Sequence, residues 1–395
     1  MASPGLGSRL AARARRFGPL PFSTFMEAAL YDDEDGFFTS GRGAGRKADF
    51  VTSPELGSLF AAVLARALDT WWDELDRPDP YLVIEAGAGS GSLAHDIVAA
   101  KPACLPALRY VLVERSPALR DAQATRLPLE LPAFVLGPAE SARAAEDDDE
   151  PVRTVPNAGP LLSSLPELPA IAVTGVIFAN ELLDNLPVDL VELRGGVWHD
   201  VRVAAAGPEG DGLCEVLVPA PPDVAGEVGR LAGADQTPPL ADGARVPLEG
   251  AAADWLRRAL DVLERGRVVV IDYGDRTPAL ARRPWSGWLR TYRGHRPGGP
   301  PTDRPGSQDI TCEVAVDQLT AVRSADSERS QADFLTAHGI DELSGAARAA
   351  WRSRAHIGDL EALTARSRVH EAEALCDPEG LGAFRVLEWA VQRAG

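Results

Sequence analysis

From residue 56 to 75 the apolar positions fall at Leu56, Leu59, Phe60, Val63, Leu64, Ala67, Leu68, Trp71 and Leu75, the spacing of one buried helix face. Ser53-Pro54-Glu55 starts that helix with a capping residue, a first-turn proline and an acid beside the positive end, and Arg77-Pro78 stops it. Short continuous apolar runs follow at 81–85, 110–114, 134–136 and 171–179, and a helix over 251–265 feeds another at 268–273. Strands alternating with helices predict an α/β fold with a doubly wound, mostly parallel sheet. Residues 189–218 instead alternate apolar and polar positions around Gly195-Gly196, which predicts a β-hairpin and a further strand. The Pro/Gly-rich segment 219–247 predicts loop, and 284–307, which holds Trp285, Trp288, Tyr292, Arg293 and His295, predicts a long irregular loop, either a lid or a disordered segment. A short helix over 22–30, a mobile loop over 31–47, two late helices and a last strand near 384–387 complete the pattern.

One stretch carries the chemistry. The run from Tyr81 ends in Glu85, three alternate glycines follow at Gly87, Gly89 and Gly91, and a helical pattern opens at Ser92. Glycine accepts positive φ and lets another molecule approach the backbone, while the opening helix offers unpaired N–H groups. This predicts a nucleotide-like ligand; the alternative is a strand-to-helix turn with no ligand. The dinucleotide fingerprint would need glycine at 92, where Ser92 stands, so an NAD oxidoreductase is a distant third reading. The pattern E-x-G-x-G-x-G resembles the first motif of class I S-adenosylmethionine (SAM) methyltransferases.

Charge narrows the partners. Among 395 residues, 40 Lys and Arg face 58 Asp and Glu, a net charge of -18. Nucleic-acid affinity comes from cations, so this composition argues against such a partner and for a basic protein segment, or for solubility alone. Cys104, Cys214, Cys312 and Cys376 are far apart, which argues against a zinc site or any other metal and fits a reduced, cytoplasmic setting. No apolar run reaches the length of a membrane span, so no membrane insertion is expected. Arg9, Arg13, Arg15 and Arg16 precede the first acid, Glu27, as in a transit peptide, but the run Gly18-Pro19-Leu20-Pro21-Phe22 favours a first helix of the folded chain.

Several patches together resemble the MidA-like family of class I methyltransferases, the family of the complex I assembly protein-arginine methyltransferase. They are the stretch from Phe25 to Tyr31, Asp49-Phe50-Val51-Thr52-Ser53-Pro54-Glu55, the glycine run, Val113-Glu114-Arg115-Ser116-Pro117 and Asn180-Glu181-Leu182-Leu183-Asp184-Asn185-Leu186-Pro187. Later come Ile271-Asp272-Tyr273-Gly274, the run from Leu289 to His295 and Gln308-Asp309-Ile310-Thr311. The chain departs from the family at Ala48, Ala88, Ser90, Phe37-Phe38 and Asn185. The resemblance implies a Rossmann-like sheet of seven strands in residues 78–395, insertions at about 189–247 and 284–374, and an N-terminal helical segment 1–77 packing on the cofactor site. It implies SAM as cofactor, with Thr52, Ser53, Pro54 and Glu55 joining the cofactor-binding residues.

In an open parallel sheet the ligand lies beyond the C-terminal strand ends, where Glu85, Gly87, Gly89, Gly91, Glu114, Asn180 and Glu181 fall. Glu114, after the second strand, can accept both ribose hydroxyls, or is a solvated strand-end acid. A protonated guanidinium is a poor nucleophile, and a carboxylate pair binds it and localises its charge. Glu181 and Asp184, three apart, can share a helical face and serve as that catalytic pair; the alternative is two helix N-terminal acids. His295 is a third catalytic candidate, as proton acceptor, or a surface histidine in a loop. The function expected is SAM-dependent methylation of a protein side chain, arginine first; the alternative is a SAM-binding assembly factor with little or no turnover. The sequence leaves open the acceptor's identity and the oligomeric state.

Overall fold

The computed structural model describes residues 4–39, 53, 57–137, 159–233, 238–294 and 296–393. The chain forms two compact units, one from segments 1–50, 182–257 and 272–324, the other from 51–181, 258–271 and 325–395. The first unit groups residues 189–247, and residues 284–324 of the second expected insertion, with the N-terminal 50 residues, and residues 51–77 belong to the second unit.

The second unit carries the seven-stranded sheet: β1 (Tyr81–Ala86), β2 (Leu108–Val113), β3 (Leu161–Leu165), β4 (Val173–Asn180), β5 (Leu263–Asp272), β6 (Ser327–Ser330) and β7 (Arg385–Gln392). Their order is β6-β7-β5-β4-β1-β2-β3. The pairs β5–β4, β4–β1, β1–β2 and β2–β3 are parallel, and β6–β7 is antiparallel. The expected doubly wound, mostly parallel sheet is therefore present. Its inner strands are buried on both faces, which is why they read as continuous apolar runs rather than alternating ones. The chain order reverses at β1, between β4 and β2, so the crevice for a ligand lies at the C-terminal ends of these three strands.

Three local expectations change in this unit. Residues 132–136 form a short helix, because Pro132 pre-sets the first turn and only Val135 is buried. The third strand is β3 instead, whose Ser163 and Ser164 interrupt the apolar run that would have announced it. The long helix is described from Ser58 to Glu74, with Gly57 rather than Ser53 at its cap position. Glu371, far along the chain, accepts the Leu59 N–H at 3.1 Å and occupies the space a Gly57 side chain would need. Ser53 itself is fully buried.

The first unit holds a five-stranded sheet in which the Asp189–Arg194 and Val197–Ala205 strands form the expected hairpin, both turn glycines having positive φ. Within the segment expected as loop, Pro222 and Asp223 start a helix, Pro222–Leu231, whose Val228 packs with Val191, Trp198 and Val246. The segment expected as an irregular loop forms a small sheet. Leu289–Arg293 pairs antiparallel with Asp309–Cys312, and Trp288 is fully buried with its Nε1 donating to the Leu280 carbonyl at 3.1 Å. Tyr292 and Arg293 are strand residues, paired with Asp309 and Arg296. Turn-rich composition around a buried tryptophan hid a small sheet.

Candidate functional site

The end of β1 turns into the helix Ser92–Ala99 through Gly87, Gly89 and Gly91, with φ of 74°, 53° and 75°. All three are left-handed values that other residues adopt at a cost, which is what the alternation of glycine is for. The turn is pinned to β2: the N–H groups of Gly87 and Ala88 both donate to the Val113 carbonyl, at 2.9 and 3.1 Å. Gly91 is needed for space as well, since a Cβ there would lie 2.9 Å from Leu127 and 3.1 Å from Leu112. A Cβ on Gly89 would meet nothing within 4 Å, so that side of the turn is open.

Glu114 follows β2 and is buried, and its two oxygens accept the Gly89 N–H at 3.0 Å and the Ser116 N–H at 2.8 Å. Burial raises its pKa against these backbone bonds, which stabilise the charged form. Its carboxylate thus shapes the glycine turn, and the Arg115 backbone adds a further bond that favours its charged form. Glu85, at the end of β1, is also buried and accepts the Tyr110 hydroxyl at 2.7 Å. Burial pushes its pKa up to about 8, with the Tyr110 bond opposing and nearby Glu114 adding, so at neutral pH it is mainly the uncharged acid.

Asn180 closes β4. Its Nδ2 donates to Glu181 Oε1 at 3.2 Å, while its Oδ1 is buried without a partner. Glu181 has φ of 51°, left-handed for a non-glycine residue, and the conformation is held by its N–H on the Ile271 carbonyl at 2.9 Å. The Ser53 N–H donates to Glu181 Oε1 at 3.0 Å, so Ser53 reaches this strand end. A strained residue over-determined by its neighbours is characteristic of functional positions.

Asp184 belongs to the other unit, in a single 3-10 turn, Leu183–Asn185, rather than on an α-helix shared with Glu181. The Leu183 and Asp184 N–H groups both donate to Asp272 Oδ2, at 2.8 and 3.3 Å, which locks this turn. Asp184 Oδ2 accepts the Tyr273 hydroxyl at 2.6 Å, and Oδ1 is buried without a partner. Burial raises its pKa, and the Tyr273 bond opposes that. The two acids therefore have separate partners, because the chain leaves β4 through a left-handed residue instead of a helix. Thr52, Pro54, Glu55 and His295 lie outside the described residues.

Tyr110 and Tyr273, the hydroxyl partners of Glu85 and Asp184, read in the sequence only as strand residues. Tyr110 is marked by a fully buried strand position, where its hydroxyl requires an acceptor, and Tyr273 by its place just past the end of β5, half-buried. Among the described residues no group of three or more His, Cys, Asp or Glu could hold a metal ion, and no helix is long and apolar enough to cross a membrane.

A family model described as "Putative S-adenosyl-L-methionine-dependent methyltransferase" matches residues 63–335. A Drosophila melanogaster protein named "Protein arginine methyltransferase NDUFAF7 homolog, mitochondrial" is 26% identical over 78% of this chain and 68% of its own length. The Danio rerio protein named for NDUFAF7 is 23% identical over 96% of this chain and 86% of its own, and the human one 26% over 51% and 45%. A COG1565 superfamily structure from Burkholderia thailandensis, solved bound to S-adenosyl-homocysteine, is 27% identical, covers 100% of this chain and 96% of its own, and superposes with a TM-score of 0.76. The cytoplasmic setting expected from the cysteines is overturned by these relatives, since the NDUFAF7 proteins are named as mitochondrial. The match spans all of β1 to β6, including the glycine turn, Glu114 and Asn180, and the chain belongs to this family of S-adenosyl-L-methionine-dependent methyltransferases.

Proposed function

We propose that the chain methylates a protein side chain, arginine first, and that the turn after β1 is where SAM binds. The observation that carries the reading is the open side of Gly89, in a turn whose N–H is held by the buried Glu114 carboxylate, at the same strand ends as Asn180, whose Oδ1 is buried without a partner. These suit a ligand that brings hydroxyls and an ammonium group. Bound SAM supplies a methyl group on a sulfonium, ready for in-line displacement. Gly89 leaves the backbone accessible, Gly87 and Gly91 supply the left-handed turn around it, Glu114 accepts ribose hydroxyls, and Asn180 Oδ1 accepts from the ammonium. Glu85 and Ser53 support this set through the strand ends.

The names of the curated relatives support arginine as acceptor. A guanidinium needs a carboxylate to localise its charge before it can attack, and alignment supplies several kcal/mol of the barrier. Glu181 has this role in the proposal, and Asp184 is tested beside it. The -18 net charge favours a basic substrate segment. The experiment compares Glu181→Gln and Asp184→Asn with the parent, in calorimetric titration with S-adenosyl-homocysteine and in transfer of radiolabelled methyl to a basic protein substrate. Ligand affinity should hold while transfer falls about 100-fold, the order lost with a positioned acid–base group. Equal loss of affinity and rate would move Glu181 to the cofactor, and tight binding with no transfer by the parent to any basic protein would favour an assembly factor.

A further inference from the structure

The helix Pro117–Arg126 buries Leu119 and Gln123, and Leu127 just beyond it, one helical turn apart. Leucine at all three positions would complete an ordinary apolar stripe. The middle one is an amide with no exposed surface at all. Burying an amide is costly unless its groups are paired, and these are. Its Nε2 donates to the Gly89 carbonyl at 2.7 Å, and its Oε1 accepts the Ser164 hydroxyl, from β3, at 2.6 Å. Its Cγ stands 3.3 Å from where a Gly91 Cβ would be.

Gly89 is thus gripped on both sides, its N–H by Glu114 at 3.0 Å and its carbonyl by Gln123 at 2.7 Å. The Gly89 carbonyl and the Ser90 N–H belong to one planar trans peptide and point in opposite directions. With the carbonyl held toward Gln123, the Ser90 N–H is turned away from the Gln123 helix. Among the described residues it meets no acceptor.

We propose that Gln123, oriented by Ser164, is a positioning residue for SAM: it sets the Gly89-Ser90 peptide so that the Ser90 N–H donates to the bound cofactor. Glycine leaves that peptide free to rotate, so a turn built for close approach needs an external hold. The chain Ser164–Gln123–Gly89 provides it from the neighbouring strand. Residues that do not touch the ligand then determine how well the turn binds it. The inference rests on the cofactor, not on the acceptor.

The test is calorimetric titration of the full chain with S-adenosyl-homocysteine, with no acceptor present, so that it is independent of the arginine reading. Gln123→Leu keeps the bulk and removes both hydrogen bonds, and Ser164→Ala removes only the outer one. We expect Gln123→Leu to weaken binding about ten-fold, or about 1.4 kcal/mol, and Ser164→Ala about three-fold, with the melting temperature without ligand near the parent's. In steady state the KM for SAM should rise while kcat at saturation is kept. Parent-like affinity in both variants overturns the proposal, as does a lowered melting temperature with unchanged affinity of the folded fraction, the mark of a purely structural amide. If Gln123→Leu does not fold, Ser164→Ala decides alone, its three-fold weakening supporting the hold and parent affinity refuting it.

Discussion

Two glycines of one motif should separate stability from ligand binding. Gly91→Ala forces a side chain into φ of 75° and puts its Cβ 2.9 Å from Leu127, 3.1 Å from Leu112 and 3.3 Å from Gln123. The left-handed backbone costs roughly 1–2 kcal/mol. Overpacking a filled core adds about 1–3 kcal/mol, so the total is roughly 2–5 kcal/mol of lost stability. Gly89→Ala bears the backbone cost alone, about 1–2 kcal/mol, because its methyl meets nothing within 4 Å. That methyl would instead occupy the open side proposed for the cofactor. Urea unfolding without ligand measures the first effect, and calorimetric titration with S-adenosyl-homocysteine the second. Gly91→Ala should lose more stability than Gly89→Ala, whereas Gly89→Ala should lose more affinity per folded molecule, ten-fold or more, or at least about 1.4 kcal/mol. Equal stability of the two variants refutes the packing argument, and parent-like affinity of Gly89→Ala refutes the placement of the ligand.

Glu114→Ala removes an acceptor of charge-assisted bonds, of about 1.5–3 kcal/mol, and should weaken S-adenosyl-homocysteine at least ten-fold, about 1.4 kcal/mol; titration showing an unchanged Kd removes Glu114 from the site. Glu85 holds its proton to about pH 8 in the folded chain against an ordinary value of 4.5. The folded state therefore carries the extra proton in that window, and stability falls as pH rises from about 4.5 to about 8, by up to about 1.4 kcal/mol per pH unit. Glu85→Gln, always neutral, should flatten this slope in urea unfolding at pH 5 to 8, and superimposable slopes for variant and parent contradict the buried-acid reading. Trp288→Ala should cost about 3–5 kcal/mol as a core truncation, whereas a residue in a surface lid would change unfolding by no more than about 0.5 kcal/mol.

What is legible in the sequence follows from range. β1, β2, β4 and β5 are continuous apolar runs because both faces are covered, and a pattern of that kind depends on no distant residue. The hairpin around Gly195-Gly196 is likewise local, since the two positive-φ turn residues are adjacent in the chain. β3 escapes the pattern because Ser163 and Ser164 are polar; Ser163 donates to the Glu130 carbonyl and Ser164 to Gln123, bonds that only the fold creates. The helix described from Ser58 has a start that is not legible locally for the same reason: the Leu59 N–H, which would need a local cap, is met by Glu371, 312 residues away.

The site divides along the same line. Glycine spacing is readable because a left-handed turn needs a particular residue type at each position, so the spacing alone singles out Gly87, Gly89 and Gly91. Glu181 and Asp184 are readable as acids but not as a pair, because pairing them assumes that a helix follows the strand. Glu181 is left-handed instead, and Asp184 is engaged with Tyr273 in the other unit. Gln123 leaves no mark at all: in the helical pattern it is a polar residue where a leucine would fit, which reads as a gap in an apolar face. Yet its amide holds the peptide that the glycines leave free. Glycine gives the turn room to meet a ligand, and that same freedom has to be removed by groups outside the motif. For a phosphate- or nucleoside-binding turn of this kind, the place to look is therefore a buried amide or hydroxyl one helix or one strand away, at a position where the periodic pattern calls for an apolar side chain.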